Sequence, residues 1–213
     1  GTMSSQILSI ASERLRHNRE FVLRHIEECR HSFFQLPLAM RCDREVARKA
    51  IEASPGNYSW AHPYEDFETT SIRKKIKSTF NGLVSGLPDL RKDLELARLA
   101  LSHPQAYSYV LRNAPYSIRN NEELIDLKPV EFYENASKRI RSCKEHAERV
   151  AMHSVYGSRH FPKKLKKDKA FILELLRKGA DPSILEGLGN GITTDKDFMM
   201  EAITINGRAI DYA

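Results

Sequence analysis

The 213-residue chain, 41% apolar and 29% charged, has the balance of an ordinary water-soluble globular protein. That balance excludes disorder, and no apolar run approaches the roughly 18 residues that a membrane-spanning helix needs. A formal net charge of +6 is modestly basic and raises the expectation of acidic partners, nucleic acid among them.

Three cysteines, Cys29, Cys42 and Cys143, are odd in number and widely spaced, which argues against a disulfide framework and for reduced thiols in a cytosol-like compartment. Near the N-terminus Ile7, Leu8, Ile10 and Ala11 are followed at once by Arg14 and Arg16, too short and too soon charged for a secretory signal. Beyond them a period of 25 residues governs the apolar positions. Ile26, Ile51, Ile76, Leu101, Ala151 and Leu176 stand 25 or 50 apart, and Val22, Ala47, Ile72, Ala97, Ala147 and Ile172 repeat the step one helical turn earlier. A second face repeats as Leu8, Phe33, Tyr58, Leu83 and Tyr133, with Ala11, Leu36, Ala61, Leu111, Ala136 and Phe161 three further on. Periods of this size signal stacked architectures, in which one unit cannot bury its apolar face alone.

In chain order, each unit opens on a short polar residue that suits a helix N-cap. Asn18 precedes Glu20, Phe21 and Val22, and Asp43 precedes Glu45, Val46 and Ala47. The unit near Glu68 lacks such a cap but keeps Ile72, Ile76 and Leu83; Asp93 then restores the pattern before Glu95, Leu96 and Ala97. Near Asn120 the pattern wears again, with Glu122 and Asp126 at apolar phases flanked by Leu124, Ile125 and Leu127, and the helix is expected to be shifted or to be interrupted by Pro129. Asp168 and Asp195 open the last two units, 27 apart, and Gly187, Gly189 and Gly191 mark the two added residues as a loop. Turn chemistry at Pro55-Gly56-Asn57, His103-Pro104, Gly179-Ala180-Asp181-Pro182 and Asn206-Gly207 divides each unit into a helix of about ten residues and a shorter one. The expected fold is all-α, stacked helix-turn-helix repeats of about 25 residues in one solenoid-like array. Ile7 to Leu15 matches a closing half-unit and Ile203 to Ala213 stops where a new boundary is due, so residues 1–213 read as a single repeat domain from a longer chain.

Two basic runs are the candidate binding face: Lys163, Lys164, Lys166 and Lys167, with Lys169 beside them, and Arg73, Lys74, Lys75 and Lys77. Such runs can meet phosphates through counterion release, or can simply be a solvated face. Neither is interleaved with aromatics, so base stacking is not supported. Cys143, His146, His153 and His160 come nearest to a metal set, but each seven-residue step advances about 10 Å along a helix, too far for four donors to converge. Cys29 beside His31 and Cys42 beside Asp43 are the sequence-adjacent pairs with nucleophile chemistry, and both sit inside the repeat register. Glu122, Glu123 and Asp126 would serve an enzyme only with a histidine from elsewhere. Trp60, Phe33, Phe34, Tyr58, Tyr107, Tyr109 and Tyr133 fall in the second-helix segments and read as core, with an exposed one able to anchor a partner. No phosphate-binding glycine loop or paired-cysteine zinc spacing occurs, and no cofactor is expected.

Asn18-Arg19-Glu20-Phe21-Val22-Leu23, Asp195 through Ile203 and Asn206-Gly207-Arg208-Ala209-Ile210-Asp211-Tyr212-Ala213 resemble a bacterial and viral family of tandem helical repeats of unknown function. Its units read approximately Asp-Lys-Glu-Phe-Val-Leu-x-Ala-Val, then Asn-Gly-x-Ala-Leu-x-Tyr-Ala-Ser. Ile10 to Arg16 resembles the end of such a unit, and the match weakens over residues 63–88 and 113–135. The resemblance implies an all-helical repeat and carries over no catalytic residue. Together these readings predict a non-catalytic module that binds another protein as an accessory or targeting region, in a cytoplasm or delivered into a host cytosol. Nucleic-acid binding through the lysine runs is the alternative.

Overall fold

The computed structural model describes residues 7–28, 32–62, 87–106, 108–112, 114–154 and 156–213, which form helices and turns with no strand among them. Among the described residues the α-helices of seven residues or more are α1 (Arg19–His25), α2 (Arg44–Ala53), α3 (Leu94–Ser102), α4 (Pro129–Asn135), α5 (Lys144–His153), α6 (Lys169–Arg177) and α7 (Lys196–Ile205). None of the described helices is long and apolar enough to cross a membrane. Contacts divide the chain into two compact units, Gly1–Ile118 and Arg119–Ala213.

Helix starts follow the predicted caps. Asn18 Oδ1 accepts from the Phe21 amide at 2.9 Å, and Asp43 Oδ1 accepts from the amides of Glu45 and Val46, each at 3.0 Å. Asp93 repeats this with Glu95 and Leu96 at 2.9 and 3.2 Å. Asp168 and Asp195 each take the amide three residues on, at 3.0 and 2.9 Å. Helix α5 starts instead at Cys143, which makes no side-chain capping bond. Pro129 opens α4 rather than interrupting a helix, because its missing N–H falls among first-turn amides that no intrahelical carbonyl would reach.

The shorter second helix differs from expectation. Instead of one piece it is a 3-10 segment followed by a single α-turn, as in Phe33–Gln35 then Leu38–Arg41, and Gly157–His160 then Lys163–Lys166. Both breaks fall on the residue before a proline. Leu36 (φ −71°, ψ 150°) and Phe161 (φ −61°, ψ 139°) are extended because the following ring clashes with a helical neighbour. The glycine-rich stretch is likewise helical: Pro182–Leu188 and Asn190–Thr193 join at Gly189, whose φ of +84° needs a residue without Cβ.

In the first unit α1 lies against α2 and α2 against α3; in the second α4, α5, α6 and α7 follow one another in the same way. The apolar series meet in these contacts: Val22, Ala47, Ala97, Ala147 and Ile172 are buried, as are Ile26, Ile51, Leu101, Ala151 and Leu176. Phe33 and Tyr58, in the 3-10 segments Phe33–Gln35 and Pro55–Trp60, and Tyr133, in α4, are buried, while Ile72, Ile76 and Leu83 lie outside the described residues. Each tyrosine hydroxyl donates to a backbone carbonyl, Tyr58 to Arg91 at 2.5 Å and Tyr133 to Arg141 at 2.6 Å.

Cation-to-cap pairs tie the helices together. Arg19, first residue of α1, holds Asp43 at 2.7 Å and Glu45 at 2.5 Å; Arg44, first of α2, holds Asp93 at 2.7 Å and also Glu95. In the second unit Lys144 holds Asp168 at 2.7 Å, and Lys169 holds Asp195. The equivalent pairs Arg19 to Asp43 and Arg44 to Asp93 span 24 and 49 residues, a surplus of one full period. The tyrosine bonds show the same surplus, spanning 33 and 8 residues. Helix α3 therefore stands beside α2 although its cap comes two periods after that of α2, and the segment opening near Glu68 lies outside the described residues.

Burial pushes the Asp43 and Asp93 carboxyls up, but hydrogen bonds from Arg19 or Arg44 and from first-turn amides outweigh it and hold both below the ordinary carboxylate range. A group depressed in the folded state adds stability above its unfolded value and loses it as pH falls through the folded one. The urea midpoint is expected to drop as pH falls below about 4, and Asp93→Ala to cost about 1 kcal/mol at neutral pH through the lost cap. Asp93→Asn keeps the cap and should blunt the acid dependence. At Gly187 an added Cβ would meet Ser158 Oγ and lie 2.7 Å from the Arg159 amide nitrogen. Gly187→Ala should therefore lower stability by about 1 to 3 kcal/mol in the same assay.

Candidate functional site

The lysine run Lys163, Lys164, Lys166 and Lys167 forms one α-turn and its C-cap between Pro162 and the α6 cap Asp168. Leu165 is buried and pins the turn, leaving Lys163, Lys164 and Lys167 exposed. Lys166 is drawn inward: its Nζ donates to the Arg159 carbonyl at 2.8 Å, and burial lowers its pKa. Lys169 is committed to Asp195. Three lysines thus remain outward, and Lys164 stands close enough to Asp168 to help hold that carboxyl down, after the hydrogen bonds from Lys144 and the Phe171 amide. The other run, Arg73, Lys74, Lys75 and Lys77, lies outside the described residues.

A groove that the motifs did not single out runs between α6 and α7. Lys169, Ala170, Leu173 and Arg177 on one side, and Asp195, Asp197, Phe198 and Glu201 on the other, line about 460 Å³. From Lys169 to Arg177 it spans about 12 Å, two turns of helix. Its floor is apolar, with Leu173 and Phe198 buried and Ala170 exposed at the edge. Its ends are closed by ion pairs, Lys169 with Asp195 and Arg177 with Glu201 at 2.5 Å. An apolar floor inside a charged rim is the anatomy of a small protein-binding patch. The signal was present as Leu173, an apolar residue directly after the register position Ile172.

A hollow of about 580 Å³ in the first unit is lined by Glu27, Glu52, Ala53, His103, Pro104 and Gln105. Its polar groups are engaged already. Lys49 holds Glu27 at 3.0 Å, and Arg48 holds Glu52 at 2.5 Å. His103 Nδ1 accepts from the Gln105 amide at 3.1 Å, which leaves Nε2 to donate to the Glu52 carbonyl at 3.2 Å.

Of the thiol pairs weighed from sequence, Cys29 and His31 lie outside the described residues. Asp43 gives its oxygens to its own helix and to Arg19, not to Cys42. The Cys42 thiol is buried and pushed up to about 11, chiefly by that burial, with Arg41 pulling down and Asp89 adding to the rise. It is protonated at neutral pH and carries no nucleophilic thiolate. His146 is buried with Nε2 3.6 Å from Glu122 Oε2, and no group of three or more metal-ligating side chains gathers among the described residues. Phe33, Tyr58 and Tyr133 are core as expected; Phe34 is exposed and meets the Trp60 ring at 5.3 Å. Tyr107 and the Tyr109 side chain are outside the described residues.

Compared with family models, with curated proteins and with solved structures, the chain finds no match in any of the three. The thiol environment gives a direct check. With its pKa near 11, Cys42 should be alkylated by iodoacetamide at pH 8 about two orders of magnitude more slowly than a free cysteine, read by peptide mass spectrometry. Denaturant should remove the difference.

Proposed function

We propose that this chain is a non-catalytic helical-repeat module, a solenoid-like array that binds another protein along the outer face of its long helices. The observation that carries the reading is one contact used repeatedly. The first residue of a long helix grips the cap of the next, over Arg19 to Asp43, Arg44 to Asp93, Lys144 to Asp168 and Lys169 to Asp195. Arrays held this way present a long rigid surface rather than an enclosed pocket. The α6–α7 groove supports a protein partner whose apolar side chain enters over Leu173 and Phe198, flanked by charges of both signs. The resemblance to the bacterial and viral repeat family fits an accessory or targeting role, in a bacterial cytoplasm or a host cytosol.

Substitution of exposed Ala170 tests this without disturbing the core. Ala170→Arg should leave the thermal midpoint within a few degrees, since surface changes cost about 0.5 kcal/mol or less, yet reduce capture of the partner at low salt at least about tenfold. Equal capture by both proteins, or none by either, would overturn the assignment.

A second reading, nucleic-acid binding, is favoured by the outward Lys163, Lys164 and Lys167. If it holds, replacing all three by glutamine should weaken binding to every sequence alike and flatten the log K against log salt slope by about 2 to 3. Absence of a mobility shift at low salt would dispose of it.

A further inference from the structure

Positive charge is concentrated on one edge of the second unit. Residues 136–144 and 154–167 together carry nine lysines and arginines and no carboxylate, whereas the remaining residues carry 25 cations against 28 acids and are net negative. Each stretch contains one four-residue α-turn, Lys138–Arg141 and Lys163–Lys166, at the same distance before the helix starts at Cys143 and Asp168. Lys144, first in α5, holds Asp168 at 2.7 Å, and α5 packs on α6, so the two turns end beside one another. The corresponding turn of the first unit, Leu38–Arg41, has a single cation, and that one is buried.

Carboxylates from neighbouring elements neutralise only part of this edge. Glu122 holds Arg139 at 2.6 Å, Glu186 holds Arg159 at 2.7 Å, and Asp168, next after Lys167, is taken by Lys144. Arg141 is half-buried, and Lys166 is turned onto the Arg159 carbonyl. Lys138, Lys163, Lys164 and Lys167 are exposed and form no ion pair among the described residues. Ile140 and Leu165 are the apolar residues of the two turns, and both are buried. The turns thus show solvent nothing but cationic side chains. Protein interfaces are built round aromatic or aliphatic anchors and are poor in lysine, and membrane insertion needs an apolar face. Neither description fits.

We propose that this edge binds double-stranded nucleic acid through its phosphates, without reading sequence, Lys138 acting together with Lys163, Lys164 and Lys167. Packed helices lie about 8 to 10 Å apart. Over about 10 Å a duplex presents about six phosphate charges and a single strand only about three, so the duplex alone meets all four unpaired lysines. Tyr156 is the exposed aromatic of these stretches, and the Arg159 guanidinium already lies over its ring, 4.5 Å from the centroid. No platform for successive unpaired bases is built there. The proposal rests on the nucleic-acid reading above, with which it shares three lysines; the second turn and the duplex are new.

Fluorescence anisotropy of the whole chain with labelled DNA and RNA duplexes of about 20 base pairs, from about 20 to about 200 mM salt, tests it. Both duplexes carry the phosphates, and the tighter one names the natural source. For it the slope of log K against log salt should be about −3 to −4, and a single strand of equal length should bind at least about threefold more weakly. Lys138→Gln should make the slope shallower by about 0.9, as much as Lys163→Gln does, while Arg24→Gln, exposed in the first unit, should leave it unchanged. All three should keep the wild-type circular dichroism and melting temperature. A wild-type slope for Lys138→Gln, an equal loss from Arg24→Gln, a single strand bound as tightly as the duplex, or phosphatidylserine vesicles bound at a salt that releases the duplex would each overturn the proposal. If Lys138→Gln changes nothing while replacing Lys163, Lys164 and Lys167 still weakens binding, the two-turn edge falls and the nucleic-acid reading stands; no binding at the lowest salt removes both.

Discussion

One carboxylate does two tasks at the start of a long helix, and the arrangement of the chain depends on it. Asp43 and Asp93 each satisfy two first-turn amides of their own helix with one oxygen and receive a cation from the previous helix on the other. The local requirement of helix initiation and the long-range requirement of helix adjacency thus converge on one side chain. Negative charge there also complements the positive end of the helix dipole. As isolated surface pairs such contacts would contribute little. Their weight is in specifying register, since a helix displaced by one turn would lose both the cation and the burial of the small alanines behind it.

Those alanines set the spacing. Ala47, Ala97 and Ala147 are buried one turn before Ile51, Leu101 and Ala151 on the same face, so neighbouring helices approach closely at the alanine turn, with the larger Ile51 and Leu101 buried one turn further on. The tyrosines work at the far end of the same design. Tyr58 in its 3-10 segment and Tyr133 in α4 are fully buried and fasten their hydroxyls to a carbonyl preceding the next cap. Burial pushes both phenols well above their ordinary value, in keeping with neutral donors held in an apolar setting.

Much of this was legible because capping and helical periodicity are local rules. Asn18, Asp43, Asp93, Asp168 and Asp195 could be identified as helix starts from the residues that follow each of them, and the buried series followed from spacing alone. What local rules could not reveal was adjacency. The spacing alone does not announce that α3, whose cap comes two periods after that of α2, stands beside α2; the Arg44 to Asp93 pair does. Around Pro129 the sequence leaves a shifted and an interrupted helix both open for a related reason, since proline disrupts a helix interior yet suits a first turn, and the choice depends on where the helix begins. The groove residues were hidden because Leu173 looked like one more apolar residue in a row of three. The basic run at Lys163 to Lys167 was found, but inward placement of Lys166 depended on a carbonyl in the preceding turn.

The direct seating of α3 on α2 bears on how such a chain tolerates change in length. The path from Arg44 to Asp93 is about twice that from Arg19 to Asp43, yet both end in the same pairing. The pairing is therefore compatible with one whole period more or less between its partners, whereas a change of one or two residues inside a helix would rotate its apolar stripe away from its neighbour. Greater separation in sequence tells mainly on kinetics, because more distant contacts are found more slowly during folding.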